Sequence, residues 1–268
     1  MKSLDQITPA LLNALSVEDR AKMLGDFFRK MDGWVAHCIS YFRWNRRTLI
    51  GTTALNNASC FFLDFSQRLF LVTAAHVYDG YLAAKLKSGK SNIICHVDNI
   101  VFDPEARIQG YNKDIDIATF DFSYDDLISM GKQAVTTTPW PPPEPNVDNT
   151  AFFGGFPGIS RLWLRRNAVS FGLYLAHTPI TTVTDRQITC RFDREAWVPI
   201  EGRRIPPLGS DLGGLSGGPV LLPLGTEEGV WHCCLGGVIS QAQASADFEV
   251  VVAVRAHFIN PDGTISRI

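Results

Sequence analysis

Concentrated positive charge is missing from this chain. Across 268 residues, 25 Lys and Arg stand against 27 Asp and Glu, and basic residues cluster only in pairs such as Arg46-Arg47 and Arg165-Arg166. No phosphate-backbone footprint is visible, so nucleic acid is not an expected partner. Long apolar runs are also missing. No stretch reaches the roughly 18 residues a membrane-spanning helix needs, and the opening MKSLDQITPALLNALSVEDRAKM lacks the apolar core and small-residue cleavage site of a secretory signal. Cysteine is sparse. Of the six (Cys38, Cys60, Cys95, Cys190, Cys233, Cys234), two are adjacent and none forms a C-x-x-C pair. Reduced thiols are expected, rather than a disulfide framework or a zinc site. From these absences follow an expected cytoplasmic location, no membrane partner, no metal and no cofactor.

What the chain does hold is turn-rich and apolar: 46% hydrophobic residues, 22 glycines and 15 prolines, the composition of a packed globular protein. Residues 1–33 differ from the rest. Ser16-Val17-Glu18-Asp19 reads as an N-cap with an acidic first turn, and Met23, Leu24, Phe27, Phe28 and Met31 recur at helical spacing before Gly33. A helical N-terminal extension is expected, either packed on the outside of the main domain or serving as an arm on which a regulatory partner docks.

From Trp34 the pattern becomes short apolar and alternating runs: 49–55, 60–65, 69–75, 93–102 and 115–122, then 150–156, 162–170, 173–176, 187–192, 219–222, 231–240 and 248–257. Such spacing indicates a mainly β barrel or sandwich. Between the two sets lies TTTPWPPPEPNVDN, residues 136–149, whose five prolines exclude a central strand or helix interior. The expected organisation is an extension (1–33), a first β unit (34–135), a proline-rich linker (136–149) and a second β unit (150–268).

Three segments carry chemistry. Gly213-Gly214-Leu215-Ser216-Gly217-Gly218-Pro219-Val220 flanks a serine with glycines, allowing a sharp turn on which backbone N–H groups converge, as an oxyanion hole requires. Phe70 to Val77, FLVTAAHV, ends an apolar run in small residues and His76, a residue type suited to act as the base a serine hydroxyl needs. Asp114-Ile115-Asp116-Ile117-Ala118 offers two carboxylates, either of which could hold an imidazole in one tautomer. On an extended strand the two would share a face, so spacing leaves the choice open.

TAAH around His76, DIA around Asp116 and GLSGGPV around Ser216 resemble the three triad motifs of trypsin-like serine proteases, in that family's chain order. The likeness spans roughly residues 48–258. FFGGFPG at 152–158 is similar to the opening of the second barrel in bacterial, HtrA-type members. The resemblance implies a chymotrypsin-like double β-barrel and a protein or peptide substrate. It makes His76 the base, Asp116 the orienting acid and Ser216 the nucleophile, with Gly214 and Ser216 N–H groups as the oxyanion hole. It also places Ser210 and Asp211 at the substrate pocket, and Ser240 on the substrate-binding strand, positioned to bond the triad aspartate. Ser210 at the pocket base and the valine-rich stretch 248–254 imply a small or medium apolar residue before the scissile bond. Two departures are informative: Leu215 cannot form the ion pair used in zymogen activation, and Val77 stands where a cysteine partner for Cys60 would be.

Two other readings fit parts of the sequence. GLSGG also matches the G-x-S-x-G elbow of α/β-hydrolases, with Asp247 and His257 downstream, but that fold needs a helix after the serine and Pro219 and Pro223 oppose one. A protease fold retained only for binding would be catalytically silent.

Overall fold

The computed structural model describes residues 17–46, 55–88, 93–165, 168–198, 205, 209–225, 231–245 and 247–267. The protein is mainly β, a double β-barrel with an N-terminal helix. Helix α1 (Val17–Cys38) leads directly into β1 (Ile39–Arg46). The first sheet continues with β2 (Leu55–Asp64), β3 (Leu69–Thr73), β4 (Ile93–Val97), β5 (Ile100–Phe102), β6 (Ile108–Asn112), β7 (Ile117–Phe122) and β8 (Val135–Thr136), with helices α2 (Ala75–Ser88), α3 (Pro104–Arg107) and α4 (Tyr124–Ser129) between them. Its order is β5-β4-β1-β2-β3-β7-β6, and β8 pairs parallel to β2. The second sheet uses β9 (Thr150–Gly155), β12 (Tyr174–Pro179), β13 (Thr182–Val183), β14 (Gln187–Phe192), β15 (Pro219–Gly225), β16 (Trp231–Ala244) and β17 (Glu249–Arg255), in the order β12-β9-β15-β16-β17-β14-β13. Strands β10 (Leu162–Arg165) and β11 (Ala168–Ser170) form a separate two-stranded ribbon.

Alternation explains some of these strands, whereas β2, β3, β7 and β9 are almost continuously buried. In β1, Ser40, Phe42 and Trp44 are buried while Tyr41, Arg43 and Asn45 are only half-buried, the period of two expected of a pleated strand. Phe42 and Trp44 join Phe62, Leu71 and Phe120 in the core of the first barrel. Phe153, Leu215, Val220 and Ile239 belong to that of the second. A third apolar layer lies where the sheets meet, joining Phe61, Leu63, Phe70 and Val72 to Phe152, Leu235, Val238 and Val254.

Helix α1 differs from the expected extension in extent and placement. It runs to Cys38 rather than ending near Gly33, and Phe27, Val35 and Cys38 belong to the inter-barrel layer. Phe28 stacks on the His177 ring at 4.7 Å, and buried Asp32 lies 3.4 Å from His177 Nδ1. The helix is thus a wall of the fold rather than an outer appendage. Its anticipated cap, Ser16, lies outside the described residues, as does most of the strand expected at 49–55.

The proline-rich segment runs without a long strand, as its composition dictates, yet Trp140 packs on the inter-barrel layer and donates its indole N–H to Ile259 O at 3.1 Å. The run 162–170, expected as one strand, folds back on itself as the β10–β11 ribbon. All six cysteines are free and buried.

Candidate active site

His76 lies in the first turn of α2, not at the end of a strand; β3 stops at Thr73. Val77, Tyr78 and Tyr81 turn their faces into the first barrel and fix the helix there, leaving His76 exposed. Its partner comes from the turn before β7, the strand paired antiparallel with β3, where Thr73 lies opposite Ala118. The Asp116 carboxylate accepts from His76 Nδ1 at 2.9 Å (Oδ2) and 3.1 Å (Oδ1), and from the His76 backbone N–H at 2.9 Å. One side chain therefore caps the start of α2, where the helix dipole favours negative charge, and also orients the imidazole. A proton on Nδ1 leaves Nε2 as the acceptor on the ring's free side.

The choice between the two aspartates is decided by backbone, not by strand alternation. Residues 113–116 are a turn, and β7 begins only at Ile117. Asn112 builds that turn: its Oδ1 accepts from Asp114 N and Ile115 N, and its carbonyl accepts from Asp116 N at 2.9 Å. Asp116 adopts a left-handed φ of 63°, one that aspartate tolerates better than most residues. The two carboxylates do not share a face. Asp114 is exposed, and among the described residues only Asp116 meets His76. Near this pair, the Tyr111 hydroxyl donates to Asp79 at 2.6 Å, and that bond, burial and the nearby carboxylates push its pKa up to about 12.

Ser216 sits on the turn between Leu212 and β15. Leu215 is fully buried in the second barrel and anchors the turn from below, which gives an apolar purpose to the residue that cannot form an ion pair. Gly217 has φ 85° and is pressed against the first barrel so closely that a Cβ would overlap Thr73 Oγ1 and Ser59 O; only glycine fits. Thr73 and Ala74 immediately precede the helix carrying His76, so the Ser216 turn is seated against the His76 segment.

Ser59, in β2, joins the barrels here. Its N–H donates to Ser216 O at 3.0 Å, its hydroxyl donates to Gly214 O at 2.7 Å and accepts from Phe156 N at 2.8 Å, and its carbonyl accepts from Thr73 Oγ1 at 2.7 Å. Asn57, on the same strand, donates to Phe156 O at 2.6 Å. Neither residue is part of a recognisable motif. What could have pointed to them is the polar run Asn56-Asn57-Ala58-Ser59 at the start of an otherwise apolar strand.

The backbone N–H groups of the turn divide cleanly. Gly213 N donates to Asp211 Oδ1, Leu215 N to Leu212 O, Gly217 N to Ile239 O and Gly218 N to Leu215 O. Among the described residues, Gly214 N and Ser216 N have no acceptor. These are the two donors expected to line an oxyanion hole.

The remaining expected residues fall as follows. Ser210 is buried at the entry to the turn. Asp211 is exposed and folds back on its own loop through Gly213 N at 2.7 Å, which commits one carboxylate oxygen locally. Ser240 does not bond Asp116. It occupies a bulge, because the β16–β17 register shifts between Ile239 and Gln241. The bulge turns its hydroxyl to Val252 O at 3.1 Å, and its carbonyl accepts from Ser216 Oγ at 3.4 Å. Among the described residues no hydrogen bond joins Ser216 Oγ to His76. A strand, β15, follows the serine turn, so the helix required by an α/β-hydrolase elbow is not formed.

No family model matches this chain, and no curated protein does. Among solved structures the chain is similar to one described as "Aromatic interactions drive the coupled folding and binding of the intrinsically disordered Sesbania mosaic virus VPg protein", at 12% identity and a TM-score of 0.37, covering 80% of this chain and 85% of that one. No family follows from this. A likeness so distant carries no functional argument, and the site stands on its own geometry.

Proposed function

We propose that the protein is a cofactor-independent serine endopeptidase, trypsin-like in mechanism, acting on proteins or peptides. The observation that carries this reading is the convergence, at the junction of the barrels, of a His76–Asp116 pair at 2.9 Å and a serine turn with two free N–H donors. In the proposed cycle His76 Nε2 takes the Ser216 proton as Oγ attacks the scissile carbonyl, and Asp116 stabilises the imidazolium without itself being protonated. Gly214 N and Ser216 N receive the developing oxyanion. The protonated imidazole then passes its proton to the leaving amine, and water releases the acyl group by the same route.

The bond from Ser216 Oγ to Ser240 O, in place of one to His76, favours a second reading: a protease fold kept for binding. A fluorophosphonate probe separates the two. Covalent labelling of the wild type that is lost in Ser216→Ala supports the peptidase. A folded wild type that takes no label supports the binding module.

A further inference from the structure

Arg161 stands between the short turn at 158–160 and β10, half-buried, and its charge is unmatched. Among the described residues no Asp or Glu forms an ion pair with it. One guanidinium nitrogen donates to the neutral Asn57 Oδ1, and Nε is buried without a partner among the described residues. Burial draws its pKa below the usual arginine value. A desolvated guanidinium in this state is unfavourable until an anion meets it.

Its place is beside the serine turn. Gly158 N donates to Gly213 O at 2.7 Å, and a Cβ on Gly158 would stand 3.6 Å from Gly213 O, 3.7 Å from Arg161 Nη2 and 3.9 Å from Asn57 Oδ1. That recess is bare because residue 158 is glycine. Asn57 donates to Phe156 O at 2.6 Å, and its Nδ2 is 3.0 Å from where a Cβ on Gly214 would stand. The guanidinium therefore flanks the Gly213–Gly214 end of the turn. Strand β16 holds the opposite end, accepting from Gly217 N at Ile239 O and from Ser216 Oγ at Ser240 O.

We propose that Arg161 determines specificity by binding the carboxylate of an acidic side chain in the polypeptide substrate, close to the scissile bond. The word substrate rests on the peptidase reading; the carboxylate binding does not. A planar guanidinium presents paired N–H donors that match a carboxylate, and the bond to Asn57 holds it in one orientation. At about 3.3 Å per extended residue, a group this near the turn reaches side chains within about three residues of a bond held there. Asp211, on the neighbouring loop, does not supply the missing charge, because its Oδ1 is turned to Gly213 N at 2.7 Å. The lack of a basic cluster in the sequence argues against a phosphate backbone as the anion.

The test is a cleavage profile. Full-length protein is given a randomised peptide library, acetylated and amidated at the ends so that side chains carry the only carboxylates, and the cuts are read by mass spectrometry. Wild type should enrich Asp and Glu at one position near the cut, and paired peptides with Glu or Gln there should differ by about tenfold or more in kcat/KM. Arg161→Gln should bring that ratio to within about twofold of unity. A purely structural arginine would slow both peptides alike and leave the ratio standing, which overturns the proposal, as does a wild-type profile with no acidic position. If Arg161→Gln does not fold, Arg161→Lys decides: it keeps the charge without the planar fork and should lower the ratio severalfold, whereas an unchanged ratio overturns the proposal. A wild type that takes no fluorophosphonate label sinks the peptidase reading alone. Binding then decides: Ser216→Ala protein should hold a fluorescein-labelled pool of the Glu peptides about tenfold tighter than the Gln pool, a preference lost on adding Arg161→Gln. Equal affinities, or a preference that survives that change, overturn the proposal.

Discussion

Ser59 and Gly214 are 155 residues apart in sequence and 2.7 Å apart in the fold, hydroxyl to carbonyl. The bond crosses from the first barrel to the residue whose N–H is proposed to receive the oxyanion, so the position of the serine turn is set partly by the other barrel. Ser59→Ala leaves Gly214 O and Phe156 N without their partner. A loss of about 1–3 kcal/mol in urea unfolding is expected. Fluorophosphonate labelling under fully folded conditions should slow as well. Normal labelling in a destabilised variant would confine Ser59 to stability.

The two aspartates should behave very differently. Asp116→Asn keeps the shape but offers the wrong tautomer to His76, and a fall of about 10³–10⁴ in labelling rate or peptide hydrolysis is expected. Asp114→Asn should stay within about twofold of wild type, as exposed substitutions away from special features do. Asp116→Ala should also lower stability by about 1 kcal/mol, because the helix loses its cap. Comparable losses from Asp114→Asn would move the acid.

All six thiols should be silent in the native protein. Burial raises the Cys38 and Cys190 thiols to about 12 and Cys234 to about 11, so the reactive thiolate is scarce at neutral pH. Ellman's reagent at pH 8 should titrate none of them until denaturant is added, and then all six. Rapid reaction of the folded protein would contradict this packing.

Glu249 is buried, with Oε2 accepting from Trp197 Nε1 at 2.7 Å and Oε1 without a partner among the described residues. Desolvation is the largest influence on it and raises its pKa, against the opposing Trp197 bond and Arg194 charge. The folded state therefore holds this proton more tightly than the unfolded chain does. The stability gained is present below the unfolded pKa and is lost as pH rises through the folded one. Glu249→Gln should melt higher than wild type at pH 7.5, with the gap closing on acidification. A gap that widens in acid would reverse the assignment.

The sheet strands were legible where burial alternates or runs unbroken, as in 187–192, which is β14 residue for residue. Helix α2 was hidden because its buried positions, Ala75, Val77, Tyr78 and Tyr81, follow a strand without a turn residue between. Of the candidate site, short motifs pointed to Ser216, His76 and Asp116, and the fold brings the last two into hydrogen-bond contact. The failure at Ser240 came from a bulge, a one-residue slip in register that strand periodicity does not encode. Ser59 and Asn57 carried only the faint signal of polar residues opening an apolar strand, because the backbone groups they act on lie about 100 or more residues away.

The unbroken passage from α1 into β1 bears on how this protein can be trimmed. Phe27, Val35 and Cys38 are filling between the barrels, so a truncation starting at residue 34 would take out Phe27 and lay bare apolar surface beneath both sheets. A shortened piece meant for crystals or assays has to start upstream of Phe27. Pieces that start later should collect in inclusion bodies, however intact their serine and histidine.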